Sequence, residues 1–262
     1  MPNPTAAARP FPSIEHRDRP AKPREQGITM LIDWGMGPQQ QRDLLRVGGA
    51  HLDLAKIAVG TSALMPTDVL REKLEAYEQA QVRPFPGGQY LEYAVHLDKL
   101  DTYLAEAADA GYKLIEVSDN TVPFDAQFKR DAIRRAIERY GLDVLGEVGS
   151  KVSTTDVPAL VADLQGCLDA GAWKVFVEAA EFFDESGLRG DLLDALVRDV
   201  PAEAMIFELP GTWLGPSAAD RLDLIKALLA RLGPEVNLAN IEPWEVLFVE
   251  SLRCRIGVAG FE

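Results

Sequence analysis

Residues Val144–Lys151 read VLGEVGSK, a short apolar run that closes on a carboxylate, a glycine and a lysine. Related endings recur in LIEVSDN (114–120), FVEAAEF (176–182) and IFELPG (206–211), so Glu116, Glu147, Glu178 and Glu208 follow one another at 31, 31 and 30 residues. That interval is the length of one strand plus one helix. Reading outward from it, eight apolar, β-rich runs succeed one another: GITMLIDWG, HLDLAKIAVG, VRPFPGG, KLIEVSD, DVLGEVG, WKVFVEA, AMIFELP and EVNLANI. Between them lie segments with helical spacing, such as TDVLREKLEAYEQA and FKRDAIRRAIERYG. Gly111, Gly141, Gly171 and Gly233 punctuate helix ends just before the next strand. A helix before every new strand makes the strands parallel. Eight such units in one chain predict an α/β protein of (β/α)₈ TIM-barrel architecture, with a six-stranded doubly wound sheet as the weaker choice.

The barrel is expected as a single domain over residues 25–262 of the 262-residue chain. Residues 1–24 hold six prolines and little apolar periodicity, which predicts an extended or disordered tail. The net charge of −14 opposes a phosphodiester backbone, so nucleic acid is not an expected partner. No apolar run approaches the roughly 18 residues of a bilayer span, and the first 20 residues lack the hydrophobic block of a secretion signal. With two cysteines, Cys167 and Cys254, in helix-like segments, a reducing, cytoplasmic location without a membrane partner is the expectation.

In such a barrel the reacting groups gather at the C-terminal strand ends. All four glutamates fall there, as do Asp33, Lys56, Asp119 and, as candidate substrate-binding groups, Ser118 and Asn240. Carboxylates crowded together repel and lose hydration, so a positive partner must join them. A divalent cation held by Asp33, Glu116, Glu147, Glu178 and Glu208 would serve, and oxygen donors without a His/Cys set favour Mg²⁺ over zinc. The competing reading is that each glutamate pairs with a neighbouring lysine or caps the helix that follows. Gly60 and Ser62 in GTS offer donors to an anion, and Gly87 and Gly88 in PGG let the backbone approach a ligand, although a plain tight turn explains PGG equally well. Trp34 and Trp213 either wall the pocket or pack at its rim. His16, His51 and His96 are scattered and read as surface or structural groups.

The ordered set GITMLIDWG, DLAKIAVGTS, FPGGQYLEYA, IEVSDN, GEVGSK, IFELP, VNLANI and EVLFVESLR, spanning Arg24 to Arg253, resembles the phosphosulfolactate synthase family. The resemblance implies a (β/α)₈ barrel that adds sulfite to phosphoenolpyruvate with Mg²⁺, on the route to coenzyme M. It also implies a small anionic substrate and self-association as a homo-oligomer. Lys151 matches the family's proton donor, with Gly149 keeping the substrate's approach open, and Lys56 matches an inward lysine for phosphate or carboxylate; a salt bridge to Asp33 or another mouth acid is its alternative. The chain also departs from the pattern. EAAE puts Ala180 where the family carries an arginine, LPGTWLG replaces a glutamine-rich segment, Asn120 follows Asp119 in place of glycine, and the terminal motif is altered in LRCRIG. Arg189 is the candidate replacement for the missing charge. Two alternatives stand beside the sulfite reaction: the same scaffold with another nucleophile or enoyl acceptor, and a non-catalytic barrel with a stress or interaction role.

Overall fold

The computed structural model describes residues 10–122, 124–150, 155–184, 187–211 and 217–256. Eight parallel strands, β1 (Thr29–Asp33), β2 (Leu54–Ile57), β3 (Arg83–Pro86), β4 (Leu114–Val117), β5 (Asp143–Val148), β6 (Lys174–Val177), β7 (Met205–Glu208) and β8 (Leu238–Ile241), alternate with helices. Hydrogen-bonded neighbours run β3-β2-β1-β8-β7-β6-β5-β4, so the first strand pairs with the last and the strands form a nearly closed (β/α)₈ barrel. This order excludes the doubly wound sheet, in which the first and last strands stand apart. Among the described residues no helix is long and apolar enough to cross a membrane.

The seam between β3 and β4 carries no ladder, and the sequence RPFP explains it. Arg83 N–H donates to Asp53 O at 2.8 Å and Gly87 N–H to Ile57 O at 2.9 Å, both on the β2 side. Alternate residues of a strand direct their N–H groups to opposite neighbours, so the donors due to face β4 belong to Pro84 and Pro86, which have none. The first five helices are α1 (Pro38–Gly48), α2 (Thr67–Gln79), α3 (Gly88–His96), α4 (Leu100–Ala110) and α5 (Ala126–Tyr140), of which α3, after β3, and α5, after β4, matter for the site. Asp125 caps the latter, its Oδ1 accepting Phe128 N–H at 2.8 Å.

Two cores result from the two faces of the strands. Between strands and helices lies a large apolar shell, whereas the barrel interior is filled by Ile28, Met30, Leu54, Phe85, Leu114, Leu145, Phe176, Ile206 and Ala239. Side chains alternate, so the residue two places beyond each interior residue points inward again, one layer higher. After Leu54, Leu114, Leu145, Phe176 and Ile206 those residues are Lys56, Glu116, Glu147, Glu178 and Glu208. Successive strands are staggered, with Glu116 level with Leu145 and Glu147 level with Phe176. The recurrence at about thirty residues therefore lays a charged layer directly on an apolar plug that is worth roughly 1.5–3 kcal/mol per buried large side chain.

Residues 10–26 form no helix or strand. Arg24, in this stretch, spans both oxygens of Asp53 at 3.0 Å at the start of β2, and Arg19 reaches Glu250 at 2.8 Å.

Candidate active site

A cavity of about 320 Å³ opens at the C-terminal end of the strands, lined on one side by Glu116, Glu147, Glu178, Glu208 and Asn240 and on the other by Ile32, Trp34, Ala58 and Val59. Lys56 also lines it and rests on a buried aromatic pair. The Phe85 and Phe176 rings stack at 6.0 Å, and the Lys56 ammonium sits 4.7 Å from the Phe176 centroid. Lys56 Nζ donates to Glu116 Oε1 and to Glu208 Oε1, each at 3.0 Å. Burial opposes a charge at Lys56, but Glu116, Glu208 and Glu147 together outweigh it and hold the amine's pKa above the ordinary lysine value. Lys56 is thus favoured as a cation, and its donors already serve two carboxylates, the alternative in which it pairs with mouth acids.

One oxygen from each of Glu116, Glu147 and Glu208 can be chosen so that all lie within 4.8 Å of one another. Burial first, then the proximity of Glu147 and Glu208, pushes Glu116 up to about 8 against the pull of Lys56. Without a cation the cluster therefore relieves its repulsion by retaining a proton near neutrality. The residues fit a hard divalent ion: three buried carboxylate donors converge, and Asn240 Oδ1, buried at the same mouth, has no hydrogen-bond partner among the described residues. Asn240 adopts φ 59°, a left-handed conformation favoured for asparagine among non-glycine residues.

The other expected ligands part company here. Asp33 lies at the wrong parity: Ile32 faces the cavity, so Asp33 points outward into the shell of helices. There its Oδ2 accepts from Lys73 Nζ at 2.8 Å and Tyr77 OH at 2.7 Å, and its Oδ1 from the N–H groups of Gly35 and Met36 at 2.8 Å. A carboxylate so engaged has no lone pair aimed at the mouth. Glu178 lines the cavity but also caps the short turn that follows it, accepting Ala180 N–H at 3.3 Å. That is the capping alternative, realised at one of the four glutamates.

Of the expected anion-binding residues, Gly87 and Gly88 line the cavity, and Gly88 N–H donates to Glu116 Oε2 at 2.9 Å. A Cβ at Gly88 would fall 2.3 Å from Ser118 Oγ, so the close approach serves the β3–β4 seam. Ser62 is turned away, sharing a 2.8 Å hydrogen bond with Tyr112 OH, and Gly60 abuts the Tyr90 ring. Ala58 and Val59, just upstream, take the wall position instead. Ser118 donates to Glu92, and Arg189 donates to Glu181 O at 3.0 Å, so neither contributes to the cavity lining and Arg189 does not stand in for the absent arginine. Trp34 stands at the rim, 44% exposed. Lys151 and Trp213 lie outside the described residues.

Three buried groups that sequence reasoning passed over shape the loops. Glu181 accepts Ser150 N–H at 2.8 Å and both the N–H (2.8 Å) and hydroxyl (2.5 Å) of Thr155, gripping the two ends of the segment that holds Lys151. Gly149 must be glycine for this grip. Its φ is 105°, and a Cβ would lie 2.8 Å from Glu181 Cγ and 2.9 Å from Glu178 Cβ, a steric reason for glycine that does not depend on substrate. Lys129 on α5 donates to Asp119 at 2.8 Å, Asp163 at 2.7 Å and the backbone oxygen of Glu147 at 3.1 Å. Glu92 on α3 gathers the loop after β4. Each sits on the inward side of a helix or turn, the one signal that distinguishes it from a surface charge.

The chain is 34% identical to the phosphosulfolactate synthase of Methanothermobacter thermautotrophicus, covering 90% of this chain and 91% of that protein. It is 23% identical to Protein HEAT-STRESS-ASSOCIATED 32 of Arabidopsis thaliana, over 92% and 90% of the respective chains. Among solved structures, 3-hexulose-6-phosphate synthase from Salmonella typhimurium superposes with a TM-score of 0.54 at 12% identity, over 87% of this chain and 99% of that one, a likeness of fold. Residues 17–258 match the family model of (2R)-phospho-3-sulfolactate synthase (ComA), and the chain belongs to that family.

Proposed function

We propose that this protein is a Mg²⁺-dependent carbon–sulfur lyase that adds sulfite to phosphoenolpyruvate, giving 2-phospho-3-sulfolactate for coenzyme M synthesis in the cytoplasm. The observation that carries the reading is the convergence of the buried Glu116, Glu147 and Glu208, with Lys56 bridging two of them above the Phe85 and Phe176 rings. The cavity, about 320 Å³, is at the small end of ligand sites and suits a three-carbon acid. Bound Mg²⁺ would supply Lewis-acid stabilisation to carboxylate oxygens that gain charge, and Glu116, Glu147 and Glu208 would hold it.

The sulfite lone pair attacks the substrate's methylene carbon, forming the C–S bond, and the π electrons move toward the carboxylate as an enediolate. A proton then adds at C2, and Lys151 is assigned as its donor from the family resemblance. Lys56 offsets the negative field of the acidic wall, without which two anions could not approach it. The site would also work within a homo-oligomer.

A second reading keeps the scaffold and changes the nucleophile or acceptor. It is favoured by Ala180 and by the apolar wall of Ile32, Trp34, Ala58 and Val59, since Lys56 is the one cation lining the cavity among the described residues. Incubation with phosphoenolpyruvate, sulfite and Mg²⁺, followed by phosphorus NMR, separates the two. The expected result is a new phosphomonoester signal that requires both sulfite and the protein. Unchanged phosphoenolpyruvate would reject the sulfite reaction, and turnover with a different nucleophile would establish the second reading.

A further inference from the structure

We propose that Glu92 is a positioning residue that orients Glu147 through Asn120, making α3 the common support of two of the three candidate metal carboxylates. The inference rests on the reading that Glu116, Glu147 and Glu208 bind a divalent cation. Glu92 is fully buried on α3 and does not line the cavity. Its two oxygens receive four donors from the loop after β4: the Ser118 hydroxyl, Asn120 N–H at 3.2 Å, Thr121 N–H at 2.5 Å and Val122 N–H at 2.8 Å. Convergent neutral dipoles of this kind stabilise a buried carboxylate without a cation.

The effect on the loop is directional. With its backbone drawn down onto Glu92, Asn120 projects its side chain across to β5, where Nδ2 donates to Glu147 Oε1 at 2.6 Å. The first residue of the same helix, Gly88, donates its N–H to Glu116 Oε2 at 2.9 Å. One helix thus fixes Glu116 directly and Glu147 at one remove, across a seam where β3 and β4 have no ladder to fix their relation. Partners that orient a metal-binding side chain are worth about 10–100-fold in affinity when removed. Glutamine at position 92 would retain one acceptor but turn an N–H₂ group toward N–H donors, so the loop would loosen with little change in volume.

The test reads cation binding rather than turnover. Wild type, Glu92→Gln, Asn120→Ala and the double variant are titrated with Mn²⁺ by electron paramagnetic resonance, with amide exchange followed at Thr121 and Val122. Expected are about 10–100-fold weaker binding in each single variant, no further loss in the double variant, and faster exchange at both amides in Glu92→Gln. Losses that multiply in the double variant, or unchanged Mn²⁺ affinity in Glu92→Gln beside a weakened Asn120→Ala, overturn the positioning role. If Glu92→Gln does not fold, Glu92→Asp replaces it: the carboxylate is kept but withdrawn by one methylene, and wild-type affinity there is equally fatal. Failure of the cation reading looks different. In that case wild type takes up no Mn²⁺, or Glu116→Gln and Glu147→Gln bind it undiminished.

Discussion

Lys56 and Glu208 meet at 3.0 Å across the barrel mouth although β1 and β8 stand between their strands. The contact exists because both side chains point inward in the layer above the apolar plug, so they meet across the barrel axis. Removing one partner of a buried ion pair costs about 3–5 kcal/mol, because the remaining charge is left uncompensated. Lys56→Met should therefore destabilise the protein by about that amount in chelator. Mg²⁺ should restore more stability to Lys56→Met than it adds to wild type, since a cation can assume the lost compensation. Thermal unfolding of both proteins with EDTA and with Mg²⁺ measures the difference, and equal gains would separate Lys56 from the carboxylate cluster.

Glu116 gives the metal-free protein a pH dependence. Burial, with Glu147 and Glu208, pushes its pKa up to about 8 from 4.5, against the pull of Lys56. Between those values the folded state holds a proton that the unfolded chain has released, so for this group stability is highest below about 4.5 and falls as pH rises toward about 8. The slope approaches about 1.4 kcal/mol per pH unit for one proton. Urea unfolding in EDTA across that window should show the decline in wild type and a flatter profile in Glu116→Gln. Parallel profiles would mean that Glu116 is ionised throughout.

Asp33 separates charge burial from cation binding. Asp33→Asn leaves the Lys73 ammonium buried without its carboxylate and should cost about 3–5 kcal/mol. Because Asp33 faces the helices, the Mn²⁺ affinity of the folded variant should stay at the wild-type value. A large loss of affinity with little loss of stability would return Asp33 to the metal set.

The barrel was legible because its evidence is periodic: a strand-helix interval near thirty residues and glycines at helix ends are properties of backbone length and handedness. Glu116, Glu147 and Glu208 were legible for the same reason, each falling near the end of an apolar run, and Lys56 because a lone cation inside such a run, LAKIAV, needs a buried partner. Asp33 also ends such a run, but one residue out of register, and counting by twos from Met30 through Ile32 would have turned it outward. Ser118 shares the parity of Glu116 yet leaves the strand's face once the chain turns after Val117. Glu92 and Glu181 were hidden for another reason. Their partners are backbone N–H groups of loops that are distant in sequence, and no composition or spacing announces a loop's backbone direction. Glu92 did leave a trace, since it lies between Leu91 and Ala94 on the buried face of α3.

Lys151 tests the chemistry itself. Glu181 grips Ser150 and Thr155, so the chain enters and leaves the Lys151 segment at fixed points beside Glu178 and the cavity. General acid catalysis typically contributes 10²–10⁴-fold, so Lys151→Met should lower kcat by about that factor, or about 3–5 kcal/mol, in the sulfite reaction. Mn²⁺ affinity and thermal stability should remain near wild type, because the candidate metal carboxylates lie on β4, β5 and β7 and the lysine serves in this reading as a proton donor rather than a ligand. Glu181→Gln should differ in kind: it weakens the grip on both ends of the segment, so kcat falls while Lys151 is still present, and amide exchange at Thr155 quickens. Run in deuterium oxide with phosphoenolpyruvate and sulfite, the wild-type reaction should place deuterium at C2 of the product. If Lys151→Met retains kcat within about tenfold, the lysine acts as a charge beside the acids and the proton comes from another donor.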